Sequence, residues 1–305
     1  MNQEMANKVV SDLGGPLIAT HAFRRLEGIT FLGILSPRYA IRPHSPLLRT
    51  YNKRQDLLLN DGTRLTHSMC VSSIALRFCD KMNLPERSKK YAIAWGLLHD
   101  ISTWPLSHTG EAAFAKLTKV KASELRKKII LGHKSLPTRY SITRPLRAMG
   151  IEKEVLLRLF DKTQPHTDSE LAPLWHIIHS PLTPDTLDGI WRCGQVFGVI
   201  VPNPDDILRI LNPSLPISDY SVDTLVDQKQ SKAAFTFWRR KSDVYTKYIN
   251  RPKTVEWESC WSNSILDYYK GIDLVESLEL DEDEIVANVE MNIGLQQGKT
   301  IRYKP

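Results

Sequence analysis

Arg87-Ser-Lys-Lys-Tyr91-Ala-Ile93-Ala94-Trp95-Gly96-Leu97-Leu98-His99-Asp100 is the stretch on which the fold turns. Tyr91, Ile93, Ala94, Trp95, Leu97 and Leu98 leave little polar face, so the segment reads as a buried helix. Pro85 precedes it, and Ser88 sits where an early cap would lie. The helix closes on His99-Asp100. Alone, that dipeptide is a weak signal, and a histidine at a helix end is ordinarily a satisfied structural residue.

Outward from this helix the chain keeps helical spacing. Leu65 to Met82 forms an amphipathic helix with His67 near its start. Further helices are expected over Thr20 to Phe31, Ser107 to Leu117, Ser123 to Gly132, Ile151 to Leu159, Glu170 to His179 and Pro184 to Phe197. A long one is expected from about Thr224 to Asp267. Asp281-Glu-Asp-Glu284 opens another, where acids suit the N-terminal dipole. Between Ile34 and Arg64 the pattern breaks at Pro37, Pro43 and Pro46, and Asn60-Asp61-Gly62 is a hairpin-turn signal between short apolar runs. Val199 to Pro204 reads as a short strand or loop. The expectation is a mostly α fold with a small β-ribbon. No linker-like stretch divides residues 1–305, so one domain is expected, with its core at about 20–200 and a C-terminal helical extension at about 205–305.

The chain's 305 residues are enough to bury a core without disulfide or metal staples. Hydrophobic residues at 42% and charged residues at 25% exclude wholesale disorder and low-complexity classes. Lys and Arg outnumber Asp and Glu by 41 to 34, giving +7 and a pI near 9.1. That balance fits an unremarkable basic globule or one with an anionic ligand. Cys70, Cys79, Cys193 and Cys260 form no CxxC pair and no disulfide framework, which points to a reducing, cytoplasmic setting. Met1-Asn-Gln-Glu4 lacks the features of a signal peptide, and no 18-residue apolar run is present, so no membrane association is expected.

His67, His99, Asp100 and Asp185 together make a mixed nitrogen and oxygen donor set. Such a set suits a catalytic Mn, Fe, Mg, Co or Zn ion with open positions better than a closed structural zinc. Adjacent His99 and Asp100 at a helix end can aim at one ion. His67 meets them if its helix packs antiparallel, and Asp185 comes from a third helix. His176 and His179, three apart, mimic a metal pair but read as packing or polar-face residues.

These motifs stand in an order that resembles the HD-domain metal-dependent phosphohydrolases, in particular the deoxynucleoside triphosphate triphosphohydrolase branch. The matching pieces are Ala22-Phe-Arg-Arg-Leu26 with Leu32-Gly33, Arg64-Leu-Thr-His67-Ser68, Leu97-Leu-His-Asp-Ile101 with Pro105-Leu-Ser-His108, Asp185-Thr-Leu-Asp188-Gly-Ile-Trp-Arg192, and Val244-Tyr245 with Glu256. They cover about residues 20 to 270. The resemblance implies an HD-domain helical fold in which His67, His99, Asp100 and Asp185 ligate a divalent ion that activates water and polarises a phosphoryl oxygen. It implies that Arg64 holds a phosphate, that His108 and His133 are proton donors or phosphate clamps, and that Glu111 orients His133. Arg24, Arg25, Tyr245 and Lys247 are weaker candidates for phosphate or sugar contacts.

Each of these has a plainer alternative. Arg64 could hold a turn, His108 and His133 could be ordinary surface histidines, and Arg24 and Arg25 solvated helix residues. The sequence also departs from the family. Ser102-Thr103-Trp104 replaces glycine-histidine-glycine, Phe31 replaces a sugar-contacting glutamine, and Gly189 and Cys193 replace a tyrosine and an aspartate of the sugar site. The metal set is retained and the nucleoside pocket is altered.

The leading expectation is therefore a metal-dependent phosphohydrolase acting on a nucleotide or another phosphorylated small molecule. A different HD activity, such as a nucleotidase, a cyclic-nucleotide phosphodiesterase or a nuclease, is the alternative. A non-catalytic nucleotide- or nucleic-acid-binding protein is a third, weakened by the lack of an aromatic-interleaved basic stripe. The aromatic-rich Trp238 to Trp261 segment suits either a homo-oligomer interface, which the resemblance favours, or a core helix.

Overall fold

In the computed structural model, residues 1–41, 45–52, 62–210 and 231–298 are described. They form a helical fold. The α-helices are α1 (Gln3–Ile18), α2 (His21–Arg24), α3 (Pro37–Ala40), α4 (Leu48–Asn52), α5 (Arg64–Lys81), α6 (Glu86–Leu98), α7 (Ser107–Thr118), α8 (Ala122–Leu131), α9 (Thr143–Ala148), α10 (Lys153–Leu159), α11 (Ala172–His179), α12 (Pro184–Phe197), α13 (Pro204–Ile210), α14 (Ser231–Val244), α15 (Pro252–Tyr268), α16 (Leu274–Glu279) and α17 (Glu282–Gly298). None of the described helices is long and apolar enough to cross a membrane.

The central pair is α5 and α6, which lie antiparallel as the positions of His67 and His99 require. Gly96 makes the close approach possible. A Cβ there would lie 2.4 Å from Ser72 Cα, and the Ser72 hydroxyl donates to the Ile93 carbonyl across the same crossing at 3.0 Å. Tyr91 to Leu98 are all buried, as their uniform apolarity demands. Thr63 starts α5 with a capping box shared with Thr66, so His67 sits one turn into a firmly fixed helix end. Around this pair, α1 and α12 pack on α5, and α7 lies against α15.

Several expected elements change on folding. The helix expected over Thr20 to Phe31 is only α2 plus a 3-10 turn at Arg25–Gly28. After Gly28 the chain extends, and Thr30 bridges Thr63 antiparallel. That bridge is the sole β pairing among the described residues. The expected hairpin turn at Asn60-Asp61 lies outside them. The long helix from Thr224 begins outside the described residues and is then interrupted. After α14 a π turn spans Tyr245–Ile249, and α15 starts afresh with Pro252 at its first turn. Proline has no N–H for a continuing helix and suits a helix start.

Helix α1 has no counterpart in the sequence reading. Its buried positions are Ala6, Val10, Gly14 and Leu17, a stripe of mostly small residues that contrasts weakly with its surroundings. Helix α17 does open at the acidic run, and residues 199–203 form irregular chain.

Candidate metal centre

The two imidazoles are oriented from behind. His67 Nδ1 lies 2.6 Å from Asp188 Oδ2, and His99 Nδ1 lies 2.7 Å from the Gly96 carbonyl oxygen. Both partners are acceptors, so both Nδ1 atoms carry the hydrogen and both Nε2 atoms present lone pairs. Those Nε2 atoms face each other at 3.2 Å. Asp185 Oδ1 is 3.1 Å from His67 Nε2 and 3.8 Å from His99 Nε2. Asp100 Oδ2 is 3.5 Å from His99 Nε2 and 3.8 Å from His67 Nε2.

Four electron-pair donors thus converge with no hydrogen assigned between them. The arrangement needs a proton or a cation at its centre. Donors about 2.1 Å from one shared ion lie roughly 3.0–3.4 Å apart, close to the shorter of these separations. His67, His99 and Asp100 offer ligand atoms all within 4.8 Å of one another. Asp185 touches both imidazoles from outside this triplet, with its side chain half exposed. The donor set fits a divalent ion with open positions.

The local electrostatics agree. Burial would push the His67 pKa down, but the Asp185 and Asp188 carboxylates override it and raise it to about 9. Burial works against the charge on Asp100, yet His99, Arg64 and His67 hold its carboxyl well below the usual range. Asp185 bears some desolvation where its carboxylate faces the donor set, although part of the side chain reaches solvent, and it falls to about 2 through its hydrogen bond to His67 and the two imidazoles.

Each functional side chain has a structural reason for its place. Asp185 is in the first turn of α12, which Thr183 caps, and Asp188 follows one turn later beneath His67. Arg192 Nε donates to the same Asp188 oxygen. Arg64, at the first position of α5, donates from Nη1 to Asp100 Oδ2 at 2.8 Å and from Nε to Ser107 Oγ at 2.9 Å.

Beside the donor set lies a cavity of about 360 Å³. Arg64, Asp100, His108, Asp185, Thr186, Tyr245 and Glu258 supply its polar lining, and Phe31, Leu35, Gly189, Ile190, Cys193 and Ile249 are among its apolar walls. The Phe31 ring lies 4.6 Å from that of His67, with the Arg64 guanidinium 4.9 Å over its face. Gly189 adjoins Phe31, whose Cζ lies 3.5 Å from where a Cβ would stand. The two substitutions noted in the sequence are thus spatial neighbours.

The cavity gathers some of the sequence candidates and not others. His108 lines it, with Glu111 4.0 Å away, and Tyr245 reaches it from the π turn. His133 does not. Gly132 ends α8 in the left-handed conformation, and His133 bonds Ser135 on a depression with Lys128, Lys134 and Thr138 that shares no lining residue with the cavity. Glu111 consequently stands beside His108, not His133. Lys247 pairs with Asp243 at 2.7 Å and Arg24 lies by Glu27 at 3.9 Å, both cations well exposed and outside the cavity lining. His176 and His179 flank Trp175, and His179 Nε2 bonds the Leu159 carbonyl, as a packing role requires.

One contributor, Glu258, escaped the sequence reading, and two that it named, Asp188 and Arg25, hold places that it did not foresee. Asp188 was part of a motif, but its place behind His67 depends on which helix face α12 turns inward. Arg25, unlike Arg24, is turned inward. It donates to the Thr103 and Ile101 carbonyls at 2.6 and 2.7 Å and so clamps the loop after His99-Asp100, and burial lowers its pKa to about 10. Glu258 enters the cavity from α15, hydrogen-bonded to Thr109, with its carboxyl pushed up by burial. It lies two residues beyond the Glu256 that the motif comparison singled out.

No protein-family model matches the chain. An uncharacterised protein from Mycoplasma pneumoniae is 30% identical over an alignment of 190 residues that covers 58% of this chain and 37% of that protein. The chain thus spans little more than a third of that relative's length. A solved hypothetical protein from Aquifex aeolicus superposes with a TM-score of 0.64 at 21% identity, over 90% of this chain and 66% of that one. A phosphohydrolase from Bacteroides thetaiotaomicron superposes with a TM-score of 0.58 at 17% identity, over 90% of this chain and 64% of that one. At these identities the likeness establishes a shared helical fold.

Proposed function

We propose that this chain is a metal-dependent phosphohydrolase of the HD type, acting on a nucleotide or a related phosphoester. The observation that carries the reading is the convergence of both Nε2 lone pairs with Asp100 and Asp185 at the edge of a cavity that also holds Arg64 and His108. The shared fold with a phosphohydrolase supports it. In this reading His67, His99, Asp100 and Asp185 are the ligands of one divalent ion, and residues 1–305 act as a single domain. A divalent ion held there would supply Lewis-acid activation of water and of a phosphoryl oxygen.

The remaining chemistry belongs to the side chains. Asp188 and the Gly96 carbonyl hold the two Nδ1 hydrogens and so aim both Nε2 atoms inward. Arg64 spends Nε and Nη1 on Ser107 and Asp100, and its Nη2 hydrogens serve a phosphate oxygen in the cavity. His108 exchanges a proton with the leaving oxygen, and Glu111 orients its ring. Tyr245 and Glu258 bind the part of the substrate beyond the phosphate. His133, Lys247 and Arg24 take no part.

The Phe31–Gly189 neighbours favour a second reading within the same chemistry. An aromatic wall beside His67 offers apolar contact where a sugar hydroxyl would need a polar partner, so the phosphoester hydrolysed is then one other than a deoxynucleoside triphosphate. Product analysis decides between them. The full chain, loaded in turn with Mn, Fe, Co, Mg and Zn, is given nucleoside mono- and triphosphates, cyclic nucleotides and oligonucleotides. Triphosphate release from a deoxynucleoside triphosphate excludes the second reading, whereas inorganic phosphate, an opened cyclic nucleotide or cleaved strands without it support the second. Hydrolysis of none of these with any metal contradicts both.

A further inference from the structure

Glu282, at the start of α17, is 2% exposed, and no ion pair to it is present among the described residues. Burying a carboxyl group this deeply is a costly way to fasten a helix end, and the burial pushes its pKa up to about 7. Its partners are unusual. One carboxylate oxygen accepts the Leu106 N–H at 2.5 Å, and the other accepts the Thr30 N–H at 3.1 Å and the Tyr39 hydroxyl at 3.3 Å. These two backbone groups flank the junction that leads to the metal centre.

That junction is strained. Leu106 and Ser107 are consecutive non-glycine residues in the left-handed region, with φ of 62° and 51°. Gly33 packs so tightly on it that a Cβ would lie 2.1 Å from the Leu106 carbonyl oxygen. The strain places the Ser107 hydroxyl between two segments. It donates to the Thr30 carbonyl and accepts from Arg64 Nε at 2.9 Å, and Arg64 Nη1 reaches Asp100 Oδ2 at 2.8 Å.

We propose that Glu282 is a positioning residue for the metal centre. By holding Thr30 and Leu106 together it sets the Ser107 hydroxyl, which fixes Arg64 and through it the Asp100 carboxylate. The C-terminal segment thereby completes a site whose ligands all lie between residues 67 and 185. This inference rests on the metal-centre reading above. The residue touches neither substrate nor ion, so its effect passes through Ser107.

The test measures Mn²⁺ affinity by titration calorimetry on the full chain, for wild type, Glu282→Ala, Ser107→Ala and the double variant, with folding checked by circular dichroism. Outer partners of metal ligands commonly alter affinity by about 10–100-fold, and a relay this long is expected to cost about 3–10-fold. The double variant is expected to bind no more weakly than the worse single one, because both break the same path. Glu282→Gln, which keeps one acceptor, is expected to fall between wild type and alanine, and it carries the test if the alanine variant does not fold. Unchanged affinity in a folded Glu282 variant, or additive losses in the double variant, overturns the proposal. The Arg64 Nε–H resonance of the metal-free protein separates the two readings. If wild type binds no Mn²⁺, the metal-centre reading fails, while a shift of that resonance in Glu282→Ala still supports the relay and no shift overturns it.

Discussion

Asp188 holds His67 by its Nδ1 at 2.6 Å and thereby turns Nε2 toward the Nε2 of His99, 3.2 Å away. A carboxylate outside the proposed ligand set thus decides where the donor set points. Replacing Asp188 by alanine is expected to weaken divalent-metal binding by about 10–100-fold while the four proposed ligands remain. Asp188→Asn keeps an acceptor and loses the charge, so its loss is expected to be smaller. Calorimetric titration with Mn²⁺ reads both.

The metal-free protein has a defined pH signature. His67 has its folded pKa raised to about 9 from an ordinary 6.5. A raised histidine stabilises the fold fully below the unfolded value, and that stability is lost as pH climbs through the folded value. Melting temperature of the metal-free chain is therefore expected to fall between pH 6.5 and 9, by the equivalent of roughly 3 kcal/mol. Metal competes with the same proton, so Mn²⁺ affinity is expected to rise over that window. A melting temperature that stays level from pH 6.5 to 9 would count against a shared proton at His67.

The α5–α6 crossing leaves no room at Gly96. Gly96→Ala places a methyl 2.4 Å from Ser72 Cα, and backbone cannot yield as a side-chain tip can. Overpacking of this kind costs about 1–3 kcal/mol. Because the same crossing sets the His67–His99 distance, metal affinity is expected to drop along with the denaturation midpoint.

Neighbouring arginines are expected to behave differently. Arg25→Ala leaves the Ile101 and Thr103 carbonyls without their donor, at about 1–3 kcal/mol for each buried group left unsatisfied. Arg24→Ala removes only an exposed contact with Glu27, worth about 0–1 kcal/mol. Urea denaturation of the two variants side by side measures the contrast.

Among the histidines, position in the cavity should decide the kinetics. His108→Ala is expected to lower kcat by about 10²–10⁴-fold on whichever phosphoester proves to be the substrate. His133→Ala, on its separate depression, is expected to leave kcat within twofold of wild type, the kind of change expected of a surface residue. Equal losses in the two variants would contradict the assignment.

How far the sequence could be read follows from what each signal depends on. The α5, α6, α7 and α12 helices were legible because their apolar spacing or buried character is strong, and the donors on them came together as helix geometry requires. Phe31 and Gly189 stood out singly as departures. Their adjacency depends on how the extended Ile29–Phe31 segment meets α12, which no local pattern encodes. His133 follows the left-handed Gly132 on a separate depression, and Lys247 lies outside the cavity lining although Tyr245 of the same π turn enters it. Arg24 and Arg25 are indistinguishable by residue type. The 3-10 turn that begins at Arg25 separates an outward guanidinium from one buried on backbone carbonyls.

The most direct measurement is an anomalous difference map from a crystal of the full chain soaked in Mn²⁺. The account predicts one strong peak within about 2.0–2.3 Å of His67 Nε2 and His99 Nε2, with Asp100 and Asp185 completing the protein ligands. Manganese peaks elsewhere on the molecule and none among these four side chains would contradict it.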